Sequence, residues 1–208
     1  MSQSAPPRQL STDEQVWIST LTGRRRDQYA WSRLWLRHLV ADLLGVPGAG
    51  LPLSAPPGRP PRLAPGWGCV SLSHCVDALV VAWSPWPIGV DVERSDRSLA
   101  AQALARRFFC PSEQINLAGL ESEALRQAVL GHWLLKEAAV KWQRGTLARD
   151  LAHWCCNLEQ GVVTHRCTGD QVWGQRWDLR GWSLALVGAP AALDATPNPM
   201  QASMLCLA

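Results

Sequence analysis

The stretch Pro87-Ile88-Gly89-Val90-Asp91-Val92-Glu93 alternates apolar and acidic residues over its last four positions. Successive side chains of a β-strand point to opposite faces, so Asp91 and Glu93 should share one face and leave the two valines on the other. Two carboxylates this close repel unless a cation or a shared proton relieves them. Oxygen ligands favour a hard ion, Mg²⁺ or Mn²⁺, over zinc. A solvated strand face with two ordinary carboxylates fits the same pattern.

A third carboxylate falls on the longest predicted helix, residues 121–143. Trp133, Glu137 and Lys141 are spaced four residues apart and therefore lie on one stripe of that helix. Glu137 can complete a three-carboxylate metal site, and Lys141 can neutralise a phosphate oxygen one turn further along. An ordinary surface ion pair between Glu137 and Lys141 is the simpler interpretation of this spacing.

Arginines gather on the first predicted helix, which spans about residues 24–44. Arg33 and Arg37 are one turn apart, and Arg26 lies about two turns before Arg33. The planar donor fork of arginine suits phosphate. The alternative is a solvated basic face, which is common for such runs.

The order of the predicted elements favours an α+β fold. A Pro- and Gly-rich loop over 46–68 separates the first helix from two short strands, and the long second helix is also followed by strands. This repetition hints at an internal duplication. Residues 13–85 are predicted to form an N-terminal subdomain and residues 86–188 a C-terminal one. The ends, 1–12 and 189–208, are expected to be flexible.

Composition excludes several functions. The net charge of +3 and the lack of a long Lys/Arg run argue against nucleic-acid binding. The sequence contains no run of about 18 apolar residues, so no membrane span is predicted. The first residues lack the apolar core of a signal peptide. Seven cysteines form no CxxC pair and no zinc spacing. We therefore expect a cytoplasmic protein with reduced, mostly buried thiols.

Taken together, the order and spacing of these motifs resemble the phosphopantetheinyl transferases. The resemblance is closest to the larger, single-chain, pseudo-dimeric type, which activates peptide and polyketide synthetases such as surfactin synthetase. It covers about residues 24–187. The motifs that carry it are Gly58-Arg59-Pro60, Ser71-Leu72-Ser73-His74, Ile88–Glu93, Arg107-Phe108-Phe109 with Glu113, and Trp133–Lys141.

The resemblance implies two similar α+β subdomains in a pseudo-dimer, with the active site at their interface. It also implies a reaction: the 4'-phosphopantetheine arm of coenzyme A moves to a serine of an apo acyl or peptidyl carrier protein, and adenosine 3',5'-bisphosphate is released. A monomeric enzyme is expected. The carrier protein and coenzyme A are its implied partners.

Site residues follow from the matching positions. Mg²⁺, with Mn²⁺ as the other option, is expected on three carboxylates, and the catalytic residues would be Glu137, Lys141 and Asp91. The implied metal ligands are Asp91, Glu93 and Glu137. The implied coenzyme A contacts are Arg26, Arg33, Arg37, Arg59, Ser73, His74 and Lys141.

Two departures from the family pattern stand out. Ser71 occupies a position usually held by Asn, and Cys110 one usually held by Ser or Thr at a helix start, where cysteine accepts hydrogen bonds poorly. Two other interpretations stay open. One is a catalytically silent relative that binds coenzyme A or a carrier protein; the other is an unrelated Mg²⁺-dependent phosphate enzyme, which the lack of a Gly-x-x-x-x-Gly-Lys loop disfavours for nucleotides.

Overall fold

The computed structural model describes residues 10–189, except for the side chain of Ala49, and the backbone of 201–206. The helices are α1 (Thr12–Ser19), α2 (Gly23–Leu44), α3 (Ala101–Phe108), α4 (Pro111–Leu117), α5 (Ser122–Trp142) and α6 (Leu147–Asp150). The strands are β1 (Leu53–Ser54), β2 (Arg62–Leu63), β3 (Cys69–His74), β4 (Ala78–Ser84), β5 (Ile88–Arg94), β6 (Trp154–Asn157), β7 (Val162–His165), β8 (Gln171–Leu179), β9 (Trp182–Gly188) and β10 (Gln201–Cys206).

A small sheet under α2 combines β3 and β4 of the N-terminal half with β10 from the end of the chain. Its order is β10-β4-β3, with antiparallel neighbours. Leu36 and Val40 of α2 are fully buried against Leu79 and Val81 of β4. Gly45 ends the helix with φ +65°, a left-handed conformation that suits glycine. The face of α2 that contains Leu36 and Val40 therefore packs on the sheet.

The C-terminal half builds a larger antiparallel sheet of order β5-β9-β8-β7-β6 under α5. Leu134 and Ala138 of α5 are buried with Val163 of β7 and Ala185 of β9. Here too a long helix covers one face of a sheet. The pattern of the chain thus gives α+β architecture, which confirms the predicted fold class.

The two sheets meet where β3 lies beside β5. The Val90 N–H donates to the Ser71 side-chain oxygen at 3.1 Å, so a serine of β3 takes up a backbone donor of β5. Behind this junction Val90 and Val92 share a core with Val80 of β4 and Leu186 of β9. Both valines of the motif strand are buried, as the alternation predicted. That the two halves form a pseudo-dimer stays a prediction.

The sequence interpretation missed the first helix. α1 begins with a capping box: the Glu14 N–H donates to Ser11 Oγ at 3.3 Å, and the Ser11 N–H donates to Glu14 Oε2 at 2.8 Å. Part of the expected flexible end, 189–208, is also a strand, because Gln201–Cys206 pairs with β4. Residues 1–9, 190–200 and 207–208 lie outside the described residues.

Two further observations concern the environment of the protein. Cys110 and Cys155 form a disulfide, which corrects the expectation that all thiols are reduced. The helices among the described residues include none that is long and apolar enough to cross a membrane.

Candidate active site

The site forms where β5, β3 and α5 come together, and a glycine sets the distance between strand and helix. A Cβ atom placed on Gly89 would collide with the Ala138 carbonyl oxygen and come within 2.7 Å of the Trp142 nitrogen. Ala138 follows Glu137, and Trp142 follows Lys141. The missing side chain of Gly89 therefore brings both functional helix residues close to the acidic strand.

At the centre of the site, three side chains share one short hydrogen-bond network. Ser73 Oγ donates to Asp91 Oδ1 at 2.6 Å. Lys141 Nζ donates to the same oxygen at 2.6 Å and to Ser73 Oγ at 2.8 Å. These residues come from β3, β5 and α5, and are 68 positions apart at the extremes. The structure thus joins three of the predicted site residues directly.

The other oxygen of Asp91 is different. Asp91 is only 2% exposed, and its Oδ2 is buried without a hydrogen-bond partner among the described residues. Leaving a buried carboxylate oxygen unpaired is unfavourable by about 1–3 kcal/mol or more. Such an atom marks a place where a ligand is expected to complete the structure.

Glu137 adds negative charge beside this oxygen. Burial, followed by the charge of Asp91, raises the pKa of Glu137 to about 7, while Lys141 opposes the rise. Glu93 contributes to it as well. A carboxyl group near neutral pKa can exchange a proton at physiological pH. The structure therefore places the three predicted carboxylates within electrostatic reach of one another.

Glu93 also has a cationic partner. Arg97, four residues further on, forms an ion pair with Glu93 Oε1. Burial raises the pKa of the Glu93 carboxyl, Arg97 lowers it, and Asp91 raises it. This ion pair was not anticipated, because it forms across the turn after β5 and not along a helix.

The carboxylates fit a magnesium ion in an open site. Their oxygens do not all lie within 4.8 Å of one another, unlike two other groups among the described residues. Mg²⁺ is usually bound through one or two carboxylates together with water and substrate phosphates, so a closed cage is not required. The donor set is entirely oxygen, and Asp91 Oδ2 is unpartnered.

The two closer groups are already occupied. One comprises Cys110, Glu113 and Cys155, and its sulfurs are bonded to each other. The other comprises Glu113, His132 and Cys156, where the Lys136 ammonium lies 2.8 Å from Glu113 Oε2. Because the Lys136 ammonium already neutralises Glu113, this group needs no metal ion.

A basic pocket opens beside the acidic centre. Its volume is about 240 Å³. Its charged lining residues are Arg33, Arg59, Lys141 and Arg144, and no acidic residue lines it. Arg33 is only 7% exposed, and its Nε donates to the Ala55 carbonyl at 2.9 Å. Its Nη1 is buried and has no hydrogen-bond partner within the described part of the chain. The pocket therefore offers a preorganised guanidinium to an anion.

His74 lies at the end of β3, next to Ser73. Desolvation lowers the pKa of His74, and the positive charges of Lys141 and Arg33 lower it further. The imidazole is therefore neutral at pH 7 and can act as a hydrogen-bond donor without adding charge.

Two predicted arginines are not brought to the pocket. The Arg37 guanidinium is buried in an ion pair with Glu14 at 3.1 Å, and it also donates to the carbonyls of Gly48 and Leu51. Its donors hold α1 and the following loop against α2, so it is a structural residue. Arg26 is exposed in the first turn of α2 and does not line the pocket.

Arg144 was missed in the sequence. It follows the end of α5 with φ +58°, a left-handed conformation that turns the chain back over the pocket. The sequence signal was weak: Arg144 lies three residues after Lys141, just past the predicted end of the helix at residue 143.

Comparison with known proteins gives a family match over part of the chain. Residues 87–187 match the model of the 4'-phosphopantetheinyl transferase superfamily. The matched segment begins at β5 and ends in β9, so it contains the acidic strand and the whole of α5. No curated protein matches the chain.

Proposed function

We propose that this protein transfers the 4'-phosphopantetheine arm of coenzyme A to a serine of an apo acyl or peptidyl carrier protein and releases adenosine 3',5'-bisphosphate. The observation that carries the proposal is the buried Asp91 Oδ2, which has no hydrogen-bond partner among the described residues. The charge of Asp91 raises the pKa of Glu137, and its other oxygen accepts a hydrogen bond from Lys141, which lines the basic pocket. The match of residues 87–187 to the transferase superfamily supports the same reaction.

Asp91, Glu93 and Glu137 would hold Mg²⁺, or Mn²⁺ in its place. When bound, the ion would neutralise charge on the pyrophosphate. The excess of buried negative charge at these carboxylates supports a cation here, because Lys141 alone hydrogen-bonds only one Asp91 oxygen.

The basic pocket would bind the phosphates of the coenzyme. Arg33 is the best placed contact, since it is held by Ala55 and still has a free, buried donor. Arg59 and Arg144 line the outer part. At about 240 Å³ the pocket is smaller than the roughly 300–1,000 Å³ of sites that enclose a whole drug-sized ligand. It would therefore hold the phosphorylated part and leave the pantetheine arm outside.

Proton transfer falls to Glu137. It would take the proton from the carrier serine hydroxyl, directly or through a water molecule. The serine oxygen then forms a bond to the phosphorus that bears the pantetheine arm, and the bond from that phosphorus to the bridging pyrophosphate oxygen breaks. Lys141, fixed by Ser73 and Asp91, would stabilise the charge that develops on the leaving phosphate.

The test is intact-mass spectrometry of apo carrier proteins incubated with the enzyme, coenzyme A and Mg²⁺. We expect one phosphopantetheine mass to be added to at least one member of a panel of fatty-acid and peptidyl carriers. A chelator, or a carrier whose acceptor serine is replaced by alanine, should prevent the addition. No mass shift on any carrier of the panel would overturn the proposal.

A matched pair of variants separates the site from general charge effects. Asp91→Asn removes the central carboxylate, and Asp96→Asn removes an exposed one that pairs with Arg94. We expect Asp91→Asn to lose at least about 10²-fold in transfer rate. The transfer rate of Asp96→Asn should stay close to that of the unmodified protein.

A further inference from the structure

We propose that Cys110 and Cys155 form a reversible thiol–disulfide site that controls the order of the active-site helix α5. Cys110 is the residue before α4, and Cys155 lies in β6; their Cα atoms are 5.9 Å apart. Cys110 is buried, whereas Cys155 is partly exposed. A reductant in solution can therefore reach the disulfide from the Cys155 side.

Directly beneath the disulfide lies the buried carboxylate of Glu113, which is 1% exposed. It accepts the Cys110 N–H at 2.8 Å and the Cys156 N–H at 2.7 Å. The disulfide thus ties together the two backbone segments that supply these donors. Opening it removes the covalent link, and the two segments are then joined through the hydrogen bonds of Glu113 and Lys136.

Glu113 leads in turn to the active site. Lys136 Nζ lies 2.8 Å from Glu113 Oε2, and the Lys136 side chain is fully buried. Lys136 also donates to the Phe108 carbonyl at 3.2 Å, just before α4, and to the Trp154 carbonyl at the start of β6. The next residue along α5 is Glu137. The rotation of the helix that presents Glu137 therefore depends on the same segments that the disulfide joins.

The disulfide holds the start of α4 in place, a role that a helix-capping side chain normally has. Cys110 occupies the N-cap of α4, where Ser or Thr would supply a strong acceptor and sulfur supplies a weak one. With the thiols free, α4 would start less firmly. With the bond formed, the start of α4 is fixed to β6 by a covalent link that closes a loop between residues 45 positions apart.

The redox step needs a dithiol reductant. The Cys110–Cys155 bond breaks, the dithiol becomes a cyclic disulfide, and its two hydrogens end on the two cysteine sulfurs. Cys156, the adjacent free cysteine, does not compete. Burial raises the pKa of its thiol, which therefore stays protonated and is a poor nucleophile. We therefore expect Cys156 not to exchange with the Cys110–Cys155 pair.

The experiment compares the air-oxidised and the dithiothreitol-treated protein. Mass mapping of the unreduced digest should give a Cys110–Cys155 peptide, which reduction removes. We expect reduction to lower Tm by about 5 °C or more and to speed amide hydrogen exchange at the start of α4, in β6 and in α5 around Lys136 and Glu137. In the transfer assay, which rests on the proposed function, the rate should fall about tenfold.

The double variant Cys110→Ala/Cys155→Ala should have the Tm and the hydrogen-exchange rates of the reduced protein, and dithiothreitol should change neither. Cys167→Ala, at an exposed free cysteine, should respond to reduction as the unmodified protein does. The inference is wrong if the two cysteines are found free or paired otherwise, or if complete reduction leaves Tm and exchange unchanged. Because these readouts need no carrier protein, they remain informative even if transfer is never observed.

Discussion

Lys136 and Glu137 are neighbours on α5, yet they enter two regions that are built in opposite ways. Lys136 belongs to a buried ion cluster in which the Glu113 carboxylate pairs with the Lys136 ammonium and accepts hydrogen bonds from two backbone N–H groups. Glu137 belongs to an acidic centre in which Asp91 Oδ2 has no partner. Adjacent helix residues diverge by about 100°, so one helix can serve both regions.

The pKa values show the same contrast. Burial acts to raise the pKa of the Glu113 carboxyl, but His132, Lys136 and the Cys156 N–H together bring it below its ordinary value. At Glu137 burial and like charges prevail, and the pKa rises to about 7. A satisfied buried group stabilises the fold, whereas an unsatisfied one is kept for a ligand.

The largest expected effect is on stability, at the satisfied cluster. Lys136→Met leaves Glu113 charged and buried with two backbone donors but no cation, which should lower the free energy of unfolding by about 3–5 kcal/mol. Urea denaturation measures this loss. Lys136→Met/Glu113→Gln should recover much of it, because glutamine is neutral and still accepts the N–H of Cys110 or Cys156. If the single variant is as stable as the unmodified protein, the cluster is not a structural one.

The next effect is on activity, at the unsatisfied centre. Glu137→Gln keeps the shape but removes the base and a charge, so the transfer rate should fall about 10²–10⁴-fold. Thermal unfolding should show no loss of stability, because the neutral side chain relieves repulsion from Asp91. An unchanged transfer rate would remove Glu137 from the mechanism.

The smallest effect is a pH dependence of stability. The Glu137 pKa is raised from 4.5 to about 7 on folding, so the protonated carboxyl favours the folded state below pH 4.5, and this contribution is lost as pH rises to about 7. Relative to Glu137→Gln, the metal-free protein should therefore lose about 3 kcal/mol between pH 4.5 and 7.5. Urea unfolding of both proteins across this range measures the difference.

Adding Mg²⁺ in the same series sharpens the comparison. A cation at the carboxylates lowers the pKa of Glu137, so the pH-dependent difference between the two proteins should shrink. A difference that is flat with pH in the absence of metal would contradict the raised pKa.

Local patterns predicted much of this molecule. The alternation in Ile88–Glu93 placed two carboxylates on one strand face, and the four-residue spacing put Glu137 and Lys141 on one helix stripe. The capping box of α1 was equally local, with Ser11 three residues before Glu14, but a short helix near the end of a chain gives too weak a periodic signal to be trusted.

The sequence alone could not show which arginine lines the pocket. Arg33 and Arg37 have the same spacing and chemistry, and only the folded structure shows that Arg37 is taken by Glu14, 23 residues earlier. The contact between Cys110 and Cys155 could not be predicted from the sequence either, because it depends on how β6 packs against α4.

The sequence by itself determined the secondary structure of the site and the type of chemistry available there. The tertiary structure decided which side chains are satisfied and which are left for a ligand. The physical reason is that strand and helix periodicity act over a few residues, whereas the pairing of buried charges depends on contacts between distant parts of the chain. Gly89 joins both levels: it is part of the acidic strand motif, and its missing side chain admits the helix that completes the site.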